Sequence, residues 1–483
     1  MADEKENKGI TVKKSENFSE WYTQTIQKAE LADYSKVSGC MIFRPRAYSM
    51  WEVVQQVVGN EFKRAGIENA YFPLFIPEEL LVKEKDHIEG FAPEVAWVTQ
   101  GGNTKLAERL AVRPTSETIM YDSYGKWIRS WRDLPLRLNQ WNNVVRWEFK
   151  HPVAFLRTRE FLWNEGHTAF ATQVEAEAER DQILDIYKRF TEDYMALYGV
   201  VGRKTEKEKF AGAVYTYAIE YFLPSGKGIQ GPDFHHDGQN FAKAFDIKFQ
   251  DPDDKEQFAW QNTFAITTRM LGVMICIHGD DKGLVIPPKM APNKVVIVPI
   301  LFGDRKDEII RAVEKIREDI VEFNPHIDDR EGYSPGWKFN EWEMKGVPIR
   351  LEIGPKDLDA QQVVAVVRDT GEKQFIKMDD VKAAVIEMLA GMHSRLLVNS
   401  RNILEGAKVR VSNFDEFMQA VNEKKFILAP FCGEPACEEL IKNESGGAGS
   451  RCIPMGDEKP IDGSKCVKCG KDAKVNAYFA KAY

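Results

Sequence analysis

What this 483-residue chain has little of narrows its class first. Long apolar runs are missing: Val295–Phe302 and Leu271–Ile277 stop well short of the roughly 20 residues that cross a bilayer. The opening residues, MADEKENKGI, are charged and hold no apolar stretch, so a secretory signal is not expected and a cytoplasmic protein is. Basic charge is not in excess either. Lys and Arg number 66 against 74 Asp and Glu, a net charge of −8, which excludes a generally basic nucleic-acid coat but not a local basic face. Repeats of about 20–50 residues and low-complexity tracts are not seen. Cysteine is scarce and uneven. Of seven, Cys40 and Cys276 stand alone, while Cys432, Cys437, Cys452, Cys466 and Cys469 crowd the end of the chain. An odd number so placed fits a metal site better than a disulfide framework.

What is present points to a folded, multidomain protein. Hydrophobic residues make up 43% and aromatics 11%, enough to bury several cores, and the length implies roughly two to four domains. Apolar residues at helical spacing (Met50, Trp51, Val54, Val58, Phe62) predict a helix stopped at Gly66, followed by a strand over Ala70–Phe72. A second helix reads through Ile183, Tyr187, Phe190 and Leu197. Three prolines within Ile286–Asn293 mark a boundary. Beyond it, strands over Lys294–Ile300, Val347–Ile353 and Gln362–Val367 alternate with helices over Asp307–Val321 and Asp379–Met388, the pattern of a small α/β domain with a partly parallel sheet. The expected division is 1–288, 289–396 and 397–483.

The richest chemistry lies between Arg137 and Phe170. A strand over Leu136–Glu148 puts Arg146 and Glu148 on one face and Trp147 on the other. After a charged loop bearing Arg157 and Arg159, a second strand presents Phe161, Trp163, Glu165 and His167 on one face. Such a hairpin suits a nucleotide: rings stack on a base, arginines neutralise phosphate and a carboxylate reads an amine or holds a metal. A solvated surface hairpin is the plainer alternative, and the convergence of independent features weighs against it. In Arg113-Pro-Thr-Ser-Glu-Thr118 the proline and hydroxyls mark a helix start, and Thr115 with Glu117 offers acceptors for an amino-acid ammonium. His235, His236 and Asp237 lack a third partner at ligand spacing, so a catalytic metal there is not favoured. Arg269 opens an apolar helix, where a guanidinium is costly unless it meets an anion, and is a phosphate-contact candidate. Cys432-x4-Cys437 and Cys466-x2-Cys469 fit four thiolates around a closed structural zinc, with Cys452 outside it. The glycines of Ser445–Ser450 read as a loop.

Together these segments resemble the class II aminoacyl-tRNA synthetases, within them the prolyl enzymes of the archaeal and eukaryotic type. Phe62–Pro73 resembles motif 1, Arg146-Trp-Glu148 through Phe161 motif 2, and Thr267-Thr-Arg269 motif 3. Arg113–Thr118, His235–Phe241, His278–Leu284 and Gly336–Trp342 resemble further signatures of that group. The resemblance implies an α+β catalytic domain on an antiparallel sheet, then an α/β anticodon-binding domain and a C-terminal zinc-binding α/β domain. It implies ATP with Mg²⁺, L-proline and tRNA(Pro) as substrates, and a homodimer packed through motif 1. Arg146 and Arg269 would be catalytic. Arg146, Glu148, Arg157, Thr158, Phe161, Gln230, Thr267 and Arg269 would hold ATP, with Glu148 reading the adenine amine. Thr115, Glu117, Arg146, Trp163, Glu165, Phe210 and His235 would hold proline. The position three after Gln230, a small hydroxyl residue in some relatives, is Asp233 here. With only about a hundred residues between Glu160 and Thr267, no cis-editing domain is expected there. A class II synthetase for another amino acid, a non-catalytic tRNA-binding relative and a zinc-ribbon nucleic-acid binder are the competing readings.

Overall fold

A computed structural model describes residues 9–87, 94–148, 151–301 and 305–483. Its centre is an antiparallel sheet whose middle strands run Tyr215–Leu223, Lys227–Gly238, Trp260–Thr267, Glu160–Phe170 and Leu136–Val145 in spatial order. Alternation along these strands sends Phe264, Ile266 and Phe234 to one face and polar residues to the other. The apolar face packs on three helices. Pro45–Arg64 contributes Trp51, Val54, Val58 and Phe62, Gln173–Asp193 contributes Ile183, Tyr187 and Phe190, and Arg269–His278 is buried from Met270 onward. The Gln173–Asp193 helix starts in a capping box, with Thr172 accepting from Glu175 N and Glu175 accepting from Thr172 N. Between motifs 2 and 3 the chain is spent on these helices and strands and four short elements, Val200–Arg203, Asn240–Phe245, Lys248–Gln250 and Glu256–Phe258, so no separate domain is inserted there.

Beyond the prolines, Val295–Pro299 pairs in parallel with His326–Ile327 and Ile349–Ile353, while Gln362–Val367 and Lys373–Lys377 add antiparallel. This is the partly parallel α/β unit read from the sequence, with Lys306–Asp319 and Pro335–Met344 among its helices. Its closing helix is far longer than the Asp379–Met388 expectation. It runs from Val381 to Ala407, because the apolar stripe Val385, Met388, Leu389, Met392, Leu396 and Leu404 is continuous. Position 396/397 therefore falls inside a helix.

The C-terminal strands do not form a sheet of their own. Ala448–Pro454 pairs with Val200–Arg203, and Val475–Ala482 runs parallel to Lys227–Gly228, so the central sheet is extended to eleven strands among the described residues. The edges of both units are thereby covered. A buried ion cluster crosses the junction: Glu220 accepts from Lys204 and, at 2.9 and 2.7 Å, from Arg451.

Three local expectations are corrected. The motif 1 strand is Glu68–Asn69 rather than Ala70–Phe72, because the backbone of Phe72 is taken by side chains, its N–H donating to Gln140 and its carbonyl accepting from Arg113 at 2.9 Å. The motif 2 strand ends at Val145 rather than Glu148, the Trp147 N–H turning aside to the Glu94 carbonyl. Ser445–Ser450 is only half loop: Gly446 and Gly447, at φ of 65° and 105°, make the turn, and a strand begins at Ala448.

Candidate active site

The polar face of the central sheet floors a cavity of about 270 Å³. Strand register sets a grid of side chains on and beneath that floor. Gln140, Glu165, Ala265 and Asp233 form one cross-strand row, and Asn142, Trp163 and Thr267 the next. On the other side of the Glu165 row, Gly166 pairs with Phe264 and lies against its ring, which a Cβ there would penetrate. Every residue assigned from the sequence to ATP or proline lines this cavity, except Glu148.

Glu148 is exposed in the turn beyond the strand and does not line the cavity, which departs from its expected place beside adenine. The cause is the early end of the strand at Val145, which removes the alternation that would have put Arg146 and Glu148 on one face.

Arg146 is held from both sides. Its Nε donates to the Pro114 carbonyl at 3.1 Å, and its guanidinium lies 5.5 Å from the Phe161 ring and 5.3 Å from the Trp163 ring. Arg269 opens the Arg269–His278 helix, donating from Nε to the Leu156 carbonyl at 3.2 Å and from an NH group to the Gln230 carbonyl at 3.4 Å. Burial pushes its pKa down, and Arg146, Arg157 and Arg451 push the same way against Asp233. A guanidinium stays charged through such a shift, so the site keeps a concentrated positive field.

The other half of the cavity is a network around Glu165. Its carboxylate accepts from Ser116 N at 3.0 Å, Asn142 Nδ2 at 2.5 Å and Gln140 Nε2 at 3.1 Å, and faces His167 Nε2 at 3.3 Å. Burial raises the carboxyl pKa, but His167, Ser116 and Asn142 outweigh it and hold Glu165 below the usual range. This ties the strand to the start of the Glu117–Trp127 helix, where Thr115 hydrogen-bonds the Glu117 carboxylate. His235 Nδ1 meets Thr216 Oγ1 at 2.8 Å, its ring lies 4.7 Å from Phe210, and burial lowers its pKa, so it is neutral at pH 7. His236 points to the opposite face, Nδ1 to Asn262 Oδ1 at 2.7 Å, so the two histidines do not converge.

His167 stands on the face read for it from the sequence, whereas Gln140, Asn142, Thr216 and Thr263 were not assigned by sequence reasoning, although simple alternation from Arg146 reaches Asn142 and Gln140. Asp233 also lines the cavity and accepts from Gln230 Nε2 at 2.8 Å. In the C-terminal region the sulfurs of Cys432, Cys437, Cys466 and Cys469 lie within 4.8 Å of one another, with Cys437–Cys466 and Cys432–Cys469 each at 3.7 Å. Four thiolates bonded to zinc at about 2.3 Å in a tetrahedron stand about 3.8 Å apart, so the cluster fits that ion. Cys452 lies elsewhere, against Gly202.

Similarity to known proteins extends over nearly the whole chain. Residues 98–278 match the tRNA synthetase class II core domain (G, H, P, S and T), 294–388 the anticodon binding domain, and 414–483 the prolyl-tRNA synthetase C-terminal domain. A proline--tRNA ligase of Natranaerobius thermophilus is 48% identical over 97% of both chains, and the cytoplasmic proline--tRNA ligase of Arabidopsis thaliana 47% identical over 98% of this chain and 91% of its own. The crystal structure of Cryptosporidium parvum prolyl-tRNA synthetase complexed with halofuginone and AMPPNP superposes with a TM-score of 0.94 at 45% identity, over 99% of this chain and 100% of that one. The chain belongs to the proline--tRNA ligase family of class II aminoacyl-tRNA synthetases.

Proposed function

We infer that this chain joins L-proline to tRNA(Pro) in two steps, forming prolyl-adenylate with release of pyrophosphate and then passing the prolyl group to a hydroxyl of the terminal ribose with release of AMP. The observation that carries the reading is the meeting of Arg146, Arg157 and Arg269 in one cavity with a buried apolar and acidic pocket beside them. Three like charges gathered from separate elements repel one another, and a polyphosphate relieves that cost.

The prolyl carboxylate is itself a nucleophile at neutral pH, so the first step needs no Ser–His pair. It needs alignment and stabilisation of charge growing on the α-phosphate. Arg146 stands where it can bridge the carboxylate and that phosphate, fixed by Pro114 and two rings. Arg157, Thr158 and Arg269 receive the leaving pyrophosphate. Phe161 stacks on adenine, while Gln230 and Thr267 hold the ribose side. Thr115 and Glu117 take the secondary ammonium, and Trp163, Phe210 and His235 wall the ring. Glu165, already saturated by four partners, shapes this pocket without titrating. Mg²⁺ bound with ATP would neutralise phosphate charge. An apolar ring pocket rejects one missing methylene by only about 1–3 kcal/mol, so alanine and cysteine leak through.

The Cys432, Cys437, Cys466 and Cys469 cluster would hold a structural zinc, which would tie the C-terminal strands together. The chain divides functionally into catalytic (1–288), anticodon-binding (289–396) and C-terminal (397–483) parts, the last two sharing the Val381–Ala407 helix. Exposed Tyr34, Ile42, Tyr48, Tyr71 and Phe75 on the segments around motif 1 favour a homodimer. A cytoplasmic site of action follows from the tRNA substrate, and no helix among the described residues is long and apolar enough to cross a membrane. The test is ATP–pyrophosphate exchange without added tRNA, followed by tRNA charging: proline drives both if the reading holds, and an enzyme inert in both would end it.

A further inference from the structure

The His278–Leu284 signature does not line the cavity, yet it joins two functional parts of the molecule. The Arg269–His278 helix, about 15 Å long, starts at the phosphate-contact arginine and ends at this segment. There the Asp280 carboxylate accepts two N–H bonds from Arg368, both at 2.7 Å, and Arg368 Nε donates to the Glu343 carbonyl at 2.6 Å. Arg368 lies in the anticodon-binding region and its side chain is 3% exposed. Glu343 belongs to that region's Pro335–Met344 helix. The main chains are sewn together beside the clamp, Leu284 N donating to the Met344 carbonyl at 3.0 Å. Gly283 and Gly346 permit the approach, since a Cβ on either would strike the opposite segment's backbone. Behind the clamp, Trp21 Nε1 donates to the Asp280 carbonyl at 2.8 Å and Lys14 Nζ to the Gly279 carbonyl at 2.6 Å, closing the helix C-terminus.

We propose that Arg368 is a positioning residue of the tRNA-charging step: its bidentate clamp on Asp280 sets the anticodon-binding region in register with the helix that carries Arg269. A tRNA gripped at one end then presents its 3′ terminus at the cavity. This rests on the functional reading above. A planar guanidinium engaging both carboxylate oxygens and a carbonyl fixes angle as well as distance, which a point charge does not. The clamp is a rigid joint between two binding regions, which share one long RNA.

The test compares the full-length chain with Arg368→Gln and Asp280→Asn, both removing the charge pair while leaving a neutral polar side chain, the second isosteric. Three rates are read: proline-dependent ATP–pyrophosphate exchange, charging of full-length tRNA(Pro), and charging of an acceptor-stem minihelix that lacks the anticodon. In both variants exchange and minihelix charging stay within about twofold of wild type, while kcat/KM for full-length tRNA falls about tenfold or more. Equal losses on both RNAs, loss of exchange, or no loss on either RNA would overturn the proposal. Absence of exchange in the wild-type chain would instead overturn the functional reading itself.

Discussion

The Glu165 carboxylate accepts the backbone N–H of Ser116 at 3.0 Å, joining the middle of a strand to the first turn of the Glu117–Trp127 helix. That contact, with those from Gln140 and Asn142, fixes where Thr115 and Glu117 stand. Glu165→Gln replaces an acceptor by a donor facing the Ser116 N–H. Initial rates of exchange should show KM for proline raised about tenfold, with KM for ATP within about twofold, a cost of roughly 1–3 kcal/mol for an unmatched buried group. A change confined to ATP would remove Glu165 from the proline half of the cavity.

The four-cysteine cluster predicts one zinc per chain. Metal analysis of the purified protein should give a 1:1 ratio, falling in Cys466→Ser and unchanged in Cys452→Ser, because only Cys466 shares the cluster. Removing a thiolate also loosens the C-terminal strands that extend the central sheet, so Cys466→Ser should melt lower. Equal metal content in the two variants would contradict the assignment.

His278 carries a prediction for acid stability. Burial lowers its pKa to about 4, against an ordinary value near 6.5, outweighing the pull of its bond to the Met195 carbonyl. The unfolded chain therefore binds the extra proton first as pH falls. Stability from this group is complete above about pH 6.5 and is lost on descending to about pH 4, up to about 3 kcal/mol. Urea midpoints measured from pH 7 to pH 5 should fall more steeply for wild type than for His278→Gln. Parallel curves would show that the buried imidazole does not govern this range.

Phe161 and Trp163 flank Arg146 from one strand, with ring centroids 5.5 Å apart. Stacking on a base is worth about 1–3 kcal/mol, so Phe161→Ala should raise KM for ATP about tenfold or more while leaving KM for proline nearly unchanged. Steady-state exchange with each substrate varied in turn reads this directly, and a proline-specific defect would reassign the ring.

Much of this was legible in the residues because the polar face of an antiparallel sheet obeys a period of two. Phe161, Trp163 and Glu165 came from that alternation alone, and Arg269 from the cost of a guanidinium at the head of an apolar helix. The misses have physical causes of the same kind. Glu148 stands outside the cavity because the strand ends where Trp147 N turns to Glu94, a contact 53 positions away in the chain. The Val381–Ala407 helix outruns the composition change near residue 396 because its apolar stripe continues through it. The joining of the C-terminal strands to Val200–Arg203 and Lys227–Gly228 depends on pairing between distant segments, which no local pattern records.

The account stands most directly on proline activation through Arg146. ATP–pyrophosphate exchange run against all twenty amino acids, with wild type and Arg146→Ala side by side, measures it. Wild type should respond to proline first, with weaker responses to alanine and cysteine. Arg146→Ala should lose about 10²–10³-fold in kcat while melting like wild type. Near-normal exchange in Arg146→Ala, or a stronger response to another amino acid, would contradict it.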